Sequence, residues 1–215
     1  MRHAVAVVCT ALLSLLATYL FSAARVTTPR VPMAESAALP LNALDPEHPV
    51  PVIVELFTSE GCSSCPPADE VLTRLVTTQP VAGAYVIGLG EHVDYWNRLG
   101  WRDPFSSAAF TTRQSDYARL FGNRSIYTPQ MVVDGREELL GSDYEKAVDV
   151  IARAARQAKA SISLVVTARP GRIARVRVEG LSEPADVFLA VTEANLSTQV
   201  ERGENRGRRL EHSAV

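Results

Sequence analysis

Two cysteines stand with two serines between them in the stretch ELFTSEGCSSCPPADEVL, residues 55–72. A pair spaced like Cys62 and Cys65 can carry electrons as dithiol and disulfide, staple the chain, or supply half of a metal site. A staple closing so short a loop removes little entropy from the unfolded chain. A metal site takes about four ligands, and beyond the N-terminal leader the chain offers these two cysteines with His48, His92 and His212. Redox work is the reading this chemistry favours, with metal handling and an inert disulfide left open. Pro66 and Pro67 suit only the first turn of a helix, where amides have no internal partner. The pair is therefore expected at a helix start. Cys62 is expected exposed there, where unpaired amides and the positive end of the dipole favour a thiolate. Ser63 and Ser64 add hydroxyl donors, and Glu60 opposes the charge. Cys65 is expected one turn further in and more buried.

The elements that must hold these residues follow from pattern. VIVELF (52–57) is a short apolar run of strand length, and AYVIGLG (84–90) is a second. Between them Val71, Leu72, Leu75 and Val76 recur at helical spacing, with Asp69 and Glu70 in the first turn. His92 and Asp94 follow the second strand, within reach of the cysteines. A helix is predicted over 107–121 through Phe110, Tyr117 and Leu120. Met131–Val133 reads as a strand, Asp134-Gly135 as a hairpin turn, and Glu137–Leu140 as the returning strand. Ser142-x-x-Glu145 is a capping box opening a helix with Val148, Ile151, Ala152 and Ala155 on one face. From Ser161 the period changes to two, through Ile162, Leu164 and Val166, then Ala174, Val176 and Val178, a turn being expected at Pro170-Gly171. Segments 186–192 and 196–201 continue the series, which predicts a β-rich C-terminal unit over 161–215. The sequence stops where a further strand begins, and that unit is expected to be truncated.

Arg2 and His3, an uncharged run from Ala4 to Phe21, and Ser22-Ala23-Ala24 have the form of a secretory leader cleaved after Ala24. Residues 25–49 form a proline-rich linker without periodicity. Removal of the leader takes Cys9 with it. Cys62 and Cys65 would then meet the oxidants of the periplasm or the exterior, where a disulfide is the expected resting state. A net charge of −2 supplies no basic field for nucleic acid. Stable membrane association is not expected once the leader is gone, and Arg202, Arg206, Arg208 and Arg209 are expected to be solvated.

The order strand, C-x-x-C, helix, strand, helix, Thr128-Pro129, strand, Asp-Gly turn, strand, helix resembles the thioredoxin-like superfamily over residues 50–160. The wording VELFTSEGCSSCPPAD, HVDYW, GWRDPFSS, YTPQMVVDG and RGENRGR is closer to a bacterial family of exported proteins of unknown function with a thioredoxin-like domain. The resemblance implies an α/β fold, with a mixed sheet flanked by helices and followed by the small all-β unit. It implies a cis Thr128-Pro129 peptide facing the cysteines, with Thr128, Trp96 and Tyr127 meeting an extended substrate. It also implies an acid on the strand leading into the site, for which Glu55 is the candidate proton carrier. Gly61, where a tryptophan is usual, and the Ser63-Ser64 dipeptide depart from ordinary thioredoxins. The activity implied is thiol–disulfide exchange with protein thiols or disulfides through Cys62 and Cys65, without a cofactor. The alternatives are a copper-handling metallochaperone using Cys62, Cys65 and His92, and a non-catalytic interaction protein.

Overall fold

The computed structural model describes residues 4–8, 48–167 and 173–215. The leader and linker expectations, apart from Ala4–Val8 and residues 48–49, lie outside the described residues, as does the Pro170-Gly171 turn. Two compact units divide the chain. Of the described residues, the first unit holds 4–7, 48–159 and 189–215, and the second holds 8, 160–167 and 173–188.

The first unit is built on a four-stranded mixed sheet. β1 (Ala4–Val8) precedes it in the chain; β2 (Val50–Thr58) leads through α1 (Pro66–Thr78) to β3 (Ala84–His92). A short 3-10 turn over Tyr95–Leu99 and α2 (Ala108–Phe121) follow, then the hairpin of β4 (Gln130–Val133) and β5 (Glu137–Leu140), and α3 (Tyr144–Ala154). The strand order is β3-β2-β4-β5, with β2 parallel to β3 and antiparallel to β4. The parallel β2–β3 pair needs a crossover, and α1 supplies it. Asp134 and Gly135 both take positive φ, 49° and 65°, as the tight hairpin requires. Asp134 also accepts a hydrogen bond from the Ile53 amide at 2.9 Å, tying the turn to β2.

Alternation along β2 sorts its side chains between two layers. Val52, Val54 and Leu56 face Ala68, Leu72 and Leu75 of α1 and Ala147, Val150 and Ile151 of α3. Phe57 joins Val93, Val132, Tyr117 and Phe121 on the α2 side. The cap of α3 is Asp143, which accepts from the Lys146 amide at 3.1 Å. The cap therefore lies one residue beyond the expected Ser142, because Asp143 supplies the carboxylate oxygen at that turn.

In the second unit β6 (Ser161–Thr167) pairs antiparallel with β7 (Ile173–Glu179). β8 (Phe188–Thr192) straddles the boundary and pairs with β1. β9 (Leu196–Gln199) and β10 (Arg209–His212) form an antiparallel pair within the first unit. The β-rich segment expected over 161–215 thus divides between the two units. The return is anchored by the Gly90 amide on the Ala214 carbonyl at 2.6 Å and by burial of Leu210 and His212. Among the described residues no helix is long and apolar enough to cross a membrane.

Candidate active site

Cys62 and Cys65 are joined as a disulfide with their Cα atoms 5.4 Å apart. Cys65 is the N-cap of α1, its carbonyl accepting from the Ala68 and Asp69 amides, and the two prolines occupy the first helical positions. The Cys62 sulfur receives a hydrogen bond from the Thr128 hydroxyl at 3.4 Å, and the Ser64 hydroxyl lies at the same distance. Trp96 donates its indole N–H to Thr128 Oγ1 at 2.8 Å, so a tryptophan orients the hydroxyl that meets the sulfur. The Thr128–Pro129 peptide is cis. Gly61 is needed for close approach: a Cβ there would stand 3.0 Å from Trp96 Cβ. Gly141 has the same role under the proline, where an added Cβ would come within 2.7 Å of Leu56 Cδ1 and 3.2 Å of Pro129 Cβ.

Neither cysteine is exposed. Both are 0% accessible, which corrects the expectation of an open Cys62. A loop of the C-terminal segment covers it. Asn205, itself buried, donates from Nδ2 to the Glu60 carbonyl at 2.8 Å and the Cys62 carbonyl at 2.9 Å. Glu204 accepts from the Ser63 amide at 2.9 Å, occupying one of the donors just ahead of α1.

Beside the pair lies a buried cluster of ionisable groups. His92 Nδ1 is 2.7 Å from Asp103 Oδ2, and that oxygen also accepts from the Glu60 amide at 2.9 Å. His212 Nε2 is 3.0 Å from Glu60 Oε1, and Trp101 donates to Glu60 Oε2 at 2.8 Å. The two imidazoles meet edge to face with centroids 4.7 Å apart, and Phe105 packs on both. Burial opposes charge on Asp103, but hydrogen bonding and the charge of His92 outweigh it and hold the carboxyl below its ordinary value. Burial likewise opposes charge on His212; its hydrogen bond to Glu60 and the charges of Asp69, Glu60 and Asp103 outweigh it and raise the imidazole above its usual range. Asp69, on the first turn of α1, is pushed up to about 6 by burial, against the pull of His92 and His212.

Residues 53–215 match the family described as "Protein of unknown function (DUF1223)". The chain belongs to DUF1223. The match spans the cysteine loop, the buried cluster and the Asn205 loop. A crystal structure of an Agrobacterium tumefaciens protein is 28% identical to this DUF1223 chain, the alignment covering 66% of this chain and 78% of that one with a TM-score of 0.48. No curated protein matches.

Glu55 is buried, but it shares a sheet face with Phe57 rather than with Leu56, the residue under Gly141 and Pro129. Its carboxylate is taken by Arg113 and by the Tyr117 hydroxyl, the latter at 2.6 Å, both from α2. Its partners are on the α2 side, and alternation of the strand is the reason. Glu91 completes that group, 3.4 Å from Arg113 Nε, and burial followed by the charge of Glu55 raises its carboxyl well above the ordinary range. Tyr127 is partly exposed, its carbonyl accepting from Gln114 at 2.6 Å and its hydroxyl reaching the Leu139 carbonyl at 3.5 Å. His92 is engaged by Asp103 and His212 and does not join the cysteines in a ligand set. Among the described residues no group of three or more His, Cys, Asp or Glu is arranged to hold a metal ion. Trp101 donates its indole N–H to Glu60 Oε2. Arg202, Arg206, Arg208 and Arg209 are exposed. Glu60, Asp69, Asp103, Asn205 and His212 complete the site. Only Asp69 carries a local signal, as an acid in a helix first turn.

Proposed function

We propose that this protein is an exported thiol–disulfide oxidoreductase of thioredoxin-like type, exchanging electrons with protein thiols or disulfides through Cys62 and Cys65. The observation that carries the reading is the bonded pair at the start of α1, with the Thr128 hydroxyl on the Cys62 sulfur. In the reduced state the helix N-terminus and the Ser64 and Thr128 hydroxyls favour a thiolate at Cys62. That thiolate attacks one sulfur of a substrate disulfide, forming a mixed disulfide and releasing one substrate thiolate. Cys65, once deprotonated, attacks the Cys62 sulfur and releases the second substrate thiolate. Two electrons pass to the substrate and the Cys62–Cys65 bond is restored; the reverse sequence makes disulfides. Export belongs to the same reading, because the leader-like N-terminus would carry the pair to oxidants that keep it bonded.

The test is trapping of partners. Cys65→Ser should accumulate mixed disulfides with protein thiols through Cys62, Cys62→Ser should accumulate few, and the reduced chain should reduce insulin disulfides. Equal trapping by both variants reverses the roles of the sulfurs, and a chain with no exchange activity is a binding protein. Buried Cys62 adds a second expectation: the loop held by Asn205 must yield before a protein disulfide can reach the sulfur. Asn205→Ala removes its two hydrogen bonds to the Glu60 and Cys62 carbonyls, together with the one its Oδ1 accepts from Arg208, each worth about 0.5–1.5 kcal/mol. Alkylation of reduced Cys62 by iodoacetamide should then run about tenfold faster. An unchanged rate would show that this loop does not control access.

A further inference from the structure

We infer that Trp96 is a positioning residue for the Cys62 sulfur: its indole N–H occupies Thr128 Oγ1 and turns the Thr128 hydroxyl hydrogen towards that sulfur. The inference rests on the redox reading above and assigns a residue that tunes its attacking thiol.

An indole nitrogen donates and does not accept. Trp96 Nε1 reaches Thr128 Oγ1 at 2.8 Å, so the single hydrogen of that hydroxyl points elsewhere. Its other neighbours are the Cys62 sulfur at 3.4 Å and the Tyr95 hydroxyl, a hydrogen-bonding neighbour of both Thr128 and the Trp96 indole. Tyr95 gives its own hydrogen to Gln114 Oε1 at 3.3 Å, which leaves its oxygen as an acceptor. A disulfide sulfur accepts weakly, so with the pair bonded Tyr95 competes for the Thr128 hydrogen. A thiolate accepts a charge-assisted bond about twice as strong as a neutral one, so on reduction Cys62 wins it. Hydrogen bonding to the charged form favours that form.

The chain builds a seat for this indole. Gly61, immediately before Cys62, leaves the room: a Cβ there would stand 3.0 Å from Trp96 Cβ and 3.4 Å from its carbonyl oxygen. The 3-10 turn that carries Trp96 is pinned at both flanks. Asp94, its cap, donates its amide to Thr111 Oγ1 at 3.1 Å and accepts from the same hydroxyl at 2.6 Å. Asn97 donates to Ser106 Oγ at 2.9 Å and accepts from the Asp103 amide at 3.0 Å. The Trp96 ring packs on the cluster of Phe57, Val93 and Val132. The carboxylates of the cysteine loop and its cover, Glu60 on His212 and Trp101 and Glu204 on the Ser63 amide, touch neither Trp96 nor Thr128 through these bonds. They act alike in every variant below.

The experiment is alkylation of the reduced chain by iodoacetamide between pH 4 and 10, with the product located on Cys62 by fragmentation mass spectrometry. The inflection of rate against pH reads the thiolate. Thr128→Val keeps the shape and removes the hydroxyl, and should move the inflection up by about one pH unit, the lower end of what a hydrogen bond to a charged group is worth. Trp96→Phe keeps an aromatic ring and removes the N–H. It should move the inflection up by roughly half as much, because the hydroxyl is then free to rotate. Thr128→Ser should stay at the wild-type value. Trp96→Phe combined with Thr128→Val should match Thr128→Val alone, since Trp96 acts through Thr128. A Trp96→Phe chain with the wild-type inflection overturns the inference, as does a double variant in which the two shifts add, or a Thr128→Ser chain that behaves like Thr128→Val. None of these touches the redox reading, which fails separately if the reduced wild-type chain does not reduce insulin. Should the variants fail to fold, NMR of the wild-type chain decides. The Trp96 indole N–H resonance should move through the Cys62 inflection, and an indole resonance blind to that titration overturns the inference.

Discussion

Glu60→Ala is expected to destabilise the protein by about 3–5 kcal/mol, the cost of stripping one partner from a buried ion pair. Glu60 is wholly buried and its carboxylate holds His212 and Trp101 at once. Without it, His212 from β10 loses its counter-charge and the Trp101 indole loses its acceptor. The C-terminal segment that covers Cys62 returns to the first unit partly through this pair, so its loss should also loosen the cover. The penalty depends on pH in a defined sense. His212 is raised above its unfolded value of 6.5. Its contribution is full below that value and is lost as pH rises through the raised folded midpoint. Denaturant unfolding at pH 6 and pH 9, followed by the fluorescence of Trp96 and Trp101, should show the larger Glu60→Ala loss at pH 6. Glu60→Gln, which keeps an acceptor for Trp101, should lose less. Equal losses for both variants at both pH values would mean that charge on His212 contributes nothing.

The local part of this architecture was legible because its signals are local. β2 and β3 are apolar runs of strand length, the two prolines mark the start of α1, and Asp134-Gly135 sits where both φ angles are positive. The placement of Glu55 follows from the same kind of rule. Side chains alternate along a strand, so Glu55 must lie with Phe57 on the α2 side if Leu56 lies with α1. What the sequence did not disclose is the cover over the cysteines. Asn205 reaches the Cys62 carbonyl across 143 positions and His212 reaches Glu60 across 152. Contacts at such separations leave no periodicity, and exposed arginines around Asn205 make the loop look like solvated surface. Asp103 is hidden in the same way: the aromatic stretch 95–105 reads as packing, yet it delivers a carboxylate to His92 and an indole to Glu60.

Asp69→Asn should make the protein more stable at neutral pH, by about 3 kcal/mol. The acid has two opposing environments. As a first-turn carboxylate it gains from the helix dipole, about 0.3–1 kcal/mol, and His92 and His212 attract its charge. Burial works the other way and prevails, moving the midpoint from 3.8 to about 6. Each unit is worth about 1.4 kcal/mol, so the ionised form costs the fold roughly 3 kcal/mol. For an acid raised in the folded state, stability is full below the unfolded value and lost as pH rises through the folded one. Wild type and Asp69→Asn should therefore unfold at similar urea concentrations near pH 3.5. Their midpoints should separate between about pH 4 and 6, and the variant should stay ahead through pH 8. Asparagine keeps the shape of the neutral acid but can neither ionise nor accept a proton as the carboxylate does. A variant less stable than wild type at pH 7.5 would mean that attraction to the two histidines exceeds the burial cost, leaving Asp69 a structural ion.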